Sequence, residues 1–101
     1  MGKIEQAFNL LGFAQRAGKL TLGMTPTLNA IRKEETRTVV LATDISENSK
    51  SKIEETAKAH DIPVFMCGTK DEFGQIFGRN EIGIIGISDA SFAIAIREFF
   101  D

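Results

Sequence analysis

The stretch Thr38-Val39-Val40-Leu41-Ala42 is apolar after its first residue and is rich in β-branched side chains. This pattern is typical of a strand that is covered by other elements on both faces. A second buried strand is predicted over residues 82–87, where Gly83 and Gly86 interrupt a run of isoleucines. Glycines inside a strand indicate a close approach of another backbone or of a partner. The two stretches predict strands of a sheet that is covered on both faces.

Helices are expected around these strands, because apolar residues recur there at spacings of three and four. Gly18 and Gly78 are natural helix stops, and Thr69 with Glu72 matches a capping box. Strands alternating with helices predict an α/β fold, a three-layer α/β/α sandwich, in a single domain over residues 1–101. The predicted helices cover residues 3–17, 26–33, 49–59, 70–77 and 90–100, and shorter extended segments cover residues 19–22 and 64–67.

Composition narrows the class of protein. A chain of 101 residues with 43% hydrophobic residues has the size of one domain with a real core. The lone Cys67 excludes an internal disulfide and fits a reducing compartment, and with His60 as the only histidine a four-ligand zinc site is not expected. The N-terminal region lacks the apolar run of a signal peptide, and no segment reaches membrane-spanning length. We therefore expect a cytoplasmic protein with no cofactor, no metal and no membrane partner.

The charges are distributed unevenly. The net charge is −2, which argues against a strongly basic nucleic-acid binder. Residues 1–33 nevertheless contain five basic residues and one acidic residue, a net charge of +4, whereas residues 34–101 carry −6. Such asymmetry indicates either one face for an anionic partner or a simple scatter of surface charge.

The sequence offers few groups for catalysis. It contains no dinucleotide-binding glycine motif and no phosphate-binding loop of the P-loop type. His60 beside Asp61 is interpreted as a surface pair, and Cys67 as a small core residue. Asp44 and Asp89 follow strands, where α/β folds place their sites, but both also serve well as turn or cap residues. We expect a protein that is not an enzyme.

Residues 20–33 form the strongest candidate for a binding site. Gly23 can adopt backbone angles that are closed to other residues, Thr25 is a good N-cap, and Pro26 suits the first helical position. The unpaired N–H groups of such a helix start can bind an anion. The alternative is a capped helix that binds nothing.

An RNA-binding interpretation requires N–H donors, polar side chains for base edges, cations for phosphates and an apolar surface for unstacked bases. The helix start supplies donors and polar groups, and the loop before the last strand supplies apolar and glycine content. The sequence has no RNP aromatic motif and no GXXG loop, so the RRM and KH modules do not apply. The candidate RNA-binding residues are Lys19, Gly23, Met24, Thr25, Asn29, Arg32, Lys33, Arg79, Asn80, Glu81, Ile82, Gly83 and Ile84.

Several segments, taken together over nearly the whole chain, resemble the ribosomal protein family that binds kink-turn RNA, in particular a bacterial branch of it. They are Leu10-Leu11-Gly12-Phe13-Ala14-Gln15-Arg16-Ala17-Gly18-Lys19-Leu20, the helix opened by Gly23, Val39-Val40-Leu41-Ala42-Thr43-Asp44, Ser46-Glu47-Asn48-Ser49-Lys50-Ser51-Lys52-Ile53, Ile62-Pro63-Val64 and Phe73-Gly74-Gln75-Ile76-Phe77-Gly78. The resemblance implies the same α/β/α sandwich, with a central mixed sheet of about four strands.

The resemblance also implies where RNA is bound. Family members contact the kink-turn through a Gly-x-Asn-Glu-x-x-Lys-like segment, whose glycine corresponds to Gly23. Thr25, Pro26 and Asn29 stand where asparagine, glutamate and lysine are usual. A second contact in the family corresponds to Arg79 through Ile84.

These departures from the family pattern remove an acidic base-reading residue and a phosphate-contacting lysine. We therefore expect a non-catalytic, ribosomal or ribosome-associated protein with weakened or altered kink-turn recognition. Its expected partner is structured RNA, either ribosomal or kink-turn-like, with a protein partner also open and no DNA. The alternative is a protein-interaction module on the same scaffold that has lost RNA binding.

Overall fold

Nine helices and strands alternate along residues 2–100, the part of the chain that a computed structural model describes. The alternation of helix and strand confirms the predicted order of elements. The elements are α1 (Lys3–Arg16), β1 (Leu20–Leu22), α2 (Met24–Arg32), β2 (Thr38–Leu41), α3 (Glu47–Ala59), β3 (Val64–Met66), α4 (Lys70–Phe77), β4 (Ile84–Ile87) and α5 (Ala90–Glu98).

The four strands form one mixed sheet in the order β1-β4-β2-β3. Strand β2 lies parallel to β3, and β4 lies antiparallel to both β1 and β2. In the central pair, Val39 is opposite Gly86 and Val40 is opposite Ile85. The expected mixed sheet of about four strands is therefore confirmed.

Side chains of β2 alternate between two cores, because successive residues of a strand point to opposite faces. Val40 packs with residues of α1, α4 and α5, whereas Val39 and Leu41 pack with residues of α2 and α3. All four residues of β2 are buried. The prediction that this stretch is a strand covered on both faces is confirmed, and so is the three-layer sandwich.

Gly86 lies where β1, β4 and α2 come together. A Cβ atom at this position would collide with the Thr21 hydroxyl oxygen and would stand 3.0 Å from Cγ2 of Thr27. The Thr21 and Thr27 hydroxyl oxygens are 2.9 Å apart and share a hydrogen bond, with Thr27 fully buried. The close approach indicated by a glycine inside this strand is therefore present.

Helix α2 begins at Met24 rather than at Pro26, and its N-cap is Gly23 instead of Thr25. The correction has a physical reason: Gly23 adopts a φ of 98°, and its N–H donates to the Ile84 carbonyl at 2.8 Å, so the chain turns into the helix directly after β1. The Thr25 prediction was wrong because Thr25 lies inside the first helical turn.

The starts of two other elements also differ from the predicted positions. Helix α3 begins at Glu47, where Ser46 caps it and accepts from the Ser49 N–H, two residues before the predicted start at Ser49. Strand β4 begins at Ile84, two residues later than predicted. Ile4 was expected to face the core, but its side chain is 47% exposed at the rim of a shallow cavity beside Phe99 and Phe100.

The ends of α1 and α4 follow the prediction. Gly18 has a φ of 72° just beyond α1, and Gly78 has a φ of 68° at the end of α4. Thr69 and Glu72 form both hydrogen bonds of a capping box. None of the helices within residues 2–100 combines the length and the apolar character needed to cross a membrane.

Replacing Gly86 with alanine should lower the free energy of unfolding by about 1–3 kcal/mol, the usual cost of forcing an atom into a filled interior. Urea denaturation at equilibrium would measure the change. Gly2→Ala is the matched control, since nothing lies within 4 Å of the added methyl group. Equal stabilities of the two variants would contradict the close packing of β1, β4 and α2.

Candidate nucleic-acid interface

Three helices begin at the same edge of the sheet. Helices α2, α3 and α4 follow β1, β2 and β3, and their N-caps are Gly23, Ser46 and Thr69. Strands β1, β2 and β3 run in the same direction, because β1 and β2 are both antiparallel to β4 and β3 is parallel to β2. The three helix N-termini therefore bring partial positive charge to one edge of the sheet.

A groove of about 250 Å³ lies at this edge, and we call it the glycine groove. One wall is the start of α2 and the opposite wall is the segment before β4, and the Gly23 N–H bonds the Ile84 carbonyl between them. The Gly23 helix start therefore lies beside the end of the 79–84 loop. The residues that line the glycine groove are Gly23, Met24, Ile45, Ser46, Ser49, Lys70, Gly83 and Ile84.

The first turn of α2 offers only two N–H groups to a ligand. The Gly23 N–H is used by Ile84, the Thr27 N–H donates to the Gly23 carbonyl at 3.3 Å, and Pro26 has no N–H. Within residues 2–100, the N–H groups of Met24 and Thr25 have no hydrogen-bond partner. They are the donors that a nucleotide could reach.

The loop between α4 and β4 is anchored more deeply than expected. Ile82 is only 7% exposed and Ile84 only 4%, because their side chains pack into the core on opposite faces of the sheet. They do not supply the exposed apolar surface that was expected of this loop. Arg79, Asn80 and Glu81 are exposed.

Met24 and Ile45 provide the apolar surface of the groove instead. Both side chains are half-buried, and both pack against the α2–α3 core. A Cβ atom at Gly83 would stand 2.5 Å from Cγ2 of Ile45, so the absence of a side chain at Gly83 makes room for Ile45. Met24 was among the predicted site residues, whereas Ile45 was not.

Lys70 is a groove residue that was not singled out from the sequence. Its N–H donates to Asp44 Oδ1 at 2.9 Å, its carbonyl accepts from the Ile82 N–H at 3.1 Å, and its Nζ lies 3.6 Å from Glu81 Oε2. The capping box correctly placed Lys70 at a helix start. No local signal shows that this helix start faces Gly23 across the sheet.

The predicted basic residues lie elsewhere. The Lys19 carbonyl accepts from the Ser88 N–H at 2.9 Å, at the opposite end of β1 and β4 from the groove. Arg32 and Lys33 stand at the far end of α2, about 12 Å along its axis from Met24. Asn29 is exposed midway along the same helix. The structure therefore does not bring Lys19, Arg32 and Lys33 to the glycine groove.

The side chains around the groove are mostly acidic. Lys50, Lys70 and Arg79 are the cations in the first turns of α2, α3 and α4 and in the adjoining loops, and Lys70 is already paired with Glu81. Positive potential in the groove therefore comes mainly from the helix N-termini. The carboxylates at this edge are Asp44, Glu47, Asp71, Glu72 and Glu81.

Three of the side chains considered above for chemistry have structural roles. Burial, with a smaller effect of Glu72, raises the pKa of the Cys67 thiol to about 11, so this residue is a neutral core side chain. Asp44 accepts from Lys70, and Asp89 caps α5 by accepting from the Phe92 N–H at 3.0 Å. Over residues 2–100, no group of three or more His, Cys, Asp and Glu side chains is placed to hold a metal.

Comparison with known proteins identifies the relationship. The family model for the ribosomal protein L7Ae/L30e/S12e/Gadd45 family matches residues 5–94. The chain belongs to this family. Because the L7Ae family is non-catalytic, membership confirms the prediction that the chain is not an enzyme.

The L7Ae-family relatives include two curated bacterial proteins, each named RNA-binding protein YlxQ. The Enterococcus faecium protein is 35% identical over 100 residues, which cover 99% of this chain and 96% of the relative. The protein of Bacillus subtilis (strain 168) is 26% identical over 94 residues, which cover 93% and 94% of the two chains. These relatives confirm the expected bacterial branch of the family, which is YlxQ-like.

Solved structures show the same L7Ae-type fold. A protein of unknown function from Bacillus halodurans C superposes with a TM-score of 0.89 at 28% identity, covering 94% of this chain and 96% of that one. The Giardia lamblia 15.5kD RNA binding protein superposes with a TM-score of 0.79 at 12% identity, covering 98% and 86%. At that low identity the Giardia structure supports the fold alone.

The Cys67 thiol should react with an alkylating reagent far more slowly in the folded protein than in urea at pH 8. A pKa of about 11 leaves only about one thiol in a thousand as the reactive thiolate at that pH. The rate should rise with pH through the range where the thiol ionises. A fast, pH-independent reaction of the folded protein would contradict the burial of this side chain.

Proposed function

We propose that this L7Ae-family protein binds structured RNA through the glycine groove, as a ribosome-associated protein of the cytoplasm. The observation that carries the proposal is the hydrogen bond from the Gly23 N–H to the Ile84 carbonyl, at 2.8 Å. This bond holds the start of α2, which has free N–H groups, against the segment before β4, where Gly83 has no side chain. Two relatives that span nearly the whole chain carry the name RNA-binding protein, which supports the same conclusion.

The groove provides the groups that an extruded nucleotide needs. The Met24 and Thr25 N–H groups would bind a phosphate or a base oxygen, and the exposed Thr25 hydroxyl would bind a polar base edge. Met24 and Ile45 would contact the face of an unstacked base. The Lys70 ammonium group would bind a phosphate in place of its weak ion pair with Glu81.

We propose further that kink-turn recognition is altered. Pro26 occupies the third position of α2 and is exposed, so it presents neither a carboxylate nor an N–H toward the groove. Asn29 is exposed one turn further along and carries no charge. Relative to the pattern of kink-turn binders, the chain lacks one bidentate base contact and one phosphate contact, while the glycine at position 23 is retained.

Restoring the family pattern with the triple variant Thr25→Asn, Pro26→Glu, Asn29→Lys should tighten binding to a kink-turn RNA. A bidentate base contact contributes about 1–3 kcal/mol, which corresponds to roughly 5-fold to 150-fold in affinity. Fluorescence anisotropy titrations with a kink-turn RNA and an unkinked duplex of equal composition, at several salt concentrations, would measure the change.

The matched control is the triple variant with Pro26→Gln, which has nearly the same shape as glutamate but no carboxylate. It should recover the phosphate contact of the new lysine, seen as a steeper salt dependence, without the gain in kink-turn preference. If neither the natural chain nor the glutamate variant prefers the kink-turn RNA, the proposal is wrong. A protein-interaction module would then be the better description.

A further inference from the structure

A second charged surface lies at the edge of the sheet opposite the glycine groove. There the Arg37 N–H donates to the Ile87 carbonyl at 2.7 Å, and the Lys19 carbonyl accepts from both the N–H and the hydroxyl of Ser88. Strand β4 lies between β1 and β2, so the backbones at Lys19 and Arg37 are about 10 Å apart, two strand spacings. These two residues form the middle of the surface.

The ends of α1 and α2 extend this surface on either side of the sheet. Arg16 is the last residue of α1, and the Lys19 N–H returns to the Ala14 carbonyl at 2.9 Å. Arg32 is the last residue of α2, and Lys33 is its C-cap, four residues before Arg37. We call this set the basic edge; its residues are Arg16, Lys19, Arg32, Lys33 and Arg37.

The cations of the basic edge are exposed and lack carboxylate partners. Within residues 2–100, none of the five lies within 4.0 Å of an Asp or Glu oxygen. Arg16 instead lies over the ring of Phe13, 4.7 Å from its centroid, and that ring is 60% exposed. The nearby carboxylates are Glu34, Glu35, Asp61 and Asp89, and Asp89 is engaged as the cap of α5.

Helix ends alone do not explain this accumulation of positive charge. Arg16 and Arg32 lie in last turns, where a cation interacts favourably with the negative end of the helix dipole. Lys19 and Arg37 lie outside the helices, beside strand ends, so that interaction does not apply to them. Their unpaired charges are free to attract an anionic partner.

We propose that the basic edge binds the phosphate backbone of a second RNA segment, so that one protein molecule bridges two stretches of RNA. The proposed function supplies the first segment, in the glycine groove. The groove edge carries five carboxylates and three cations, whereas the basic edge carries five cations beside four carboxylates, so the electrostatic attraction for a polyanion is stronger on the side away from the groove. Since the two edges face in opposite directions, a straight duplex that lies in the groove does not reach the basic edge.

The structure also indicates how the two RNA contacts differ. Cations on flexible side chains bind phosphates without reading sequence, and each phosphate contact adds to the salt dependence of binding. The groove presents fixed N–H groups and a shaped apolar surface, which suit an individual nucleotide. The basic edge therefore suits a regular duplex and the groove suits a distorted one.

The test is the formation of a ternary complex by the full chain. A kink-turn RNA with a donor dye and an unkinked duplex with an acceptor dye are mixed with the protein at low salt, and energy transfer between them is measured. We expect energy transfer that requires the protein and falls with added salt. Two RNAs that displace each other without energy transfer would overturn the proposal.

The variant that tests the surface is Lys19→Gln, Lys33→Gln, Arg37→Gln, whose three side chains are exposed. It should abolish energy transfer and reduce the log–log salt slope of duplex binding by about 2 to 3, close to 0.9 for each phosphate contact. Kink-turn affinity should stay unchanged. The matched control is Lys3→Gln, Lys52→Gln, Arg97→Gln, which removes the same charge at exposed positions outside both surfaces and should retain energy transfer.

The outcomes separate this inference from the proposed function. If kink-turn binding fails but the duplex alone binds the natural chain, and this binding is lost only in the basic-edge variant, the glycine groove is the wrong site and the basic edge stands. If the control loses duplex binding as completely as the basic-edge variant, the attraction is a property of overall charge and the inference is wrong. Thermal unfolding of each variant would show that the fold is intact.

Discussion

The antiparallel pairing of β2 with β4 is the interaction on which the rest of the structure depends. It brings together two segments more than forty residues apart and buries both faces of each strand, so that one core forms with α1, α4 and α5 and another with α2 and α3. Gly86 lets β1 and α2 approach this pair closely. Once β1 is held there, the chain turns at Gly23 and α2 begins beside β4.

Much of this architecture could be predicted from the sequence, because its signals are local. The unbroken apolar run at 38–42, the capping box at Thr69 and the left-handed turn at Gly78 each depend on neighbours a few residues away. The start of α2 was misplaced because its decisive partner, the Ile84 carbonyl, is remote in the chain. Local preference favoured Thr25 as the cap, and a long-range hydrogen bond overrode it.

The candidate site was predicted less completely than the fold. Gly23 and Gly83 were both named as candidate residues, since both carry a backbone signal that the sequence displays, and both line the groove. Lys70, Ser46 and Ile45 were missed because only the sheet order brings their loops to the same edge. Lys19, Arg32 and Lys33 were grouped with the groove by charge alone. The structure assigns them to the opposite edge, where the proximity of Lys19 to the end of α2 was not visible in the sequence.

The burial of Ile82 and Ile84 has a consequence for the thermodynamics of binding. The Ile82 and Ile84 side chains pack into different cores, so the backbone between them, at Gly83, is anchored on both sides. The wall of the groove is then already ordered before a ligand arrives, and little conformational entropy is lost when one binds. A substitution deep in either core could therefore weaken binding at a surface that it never touches.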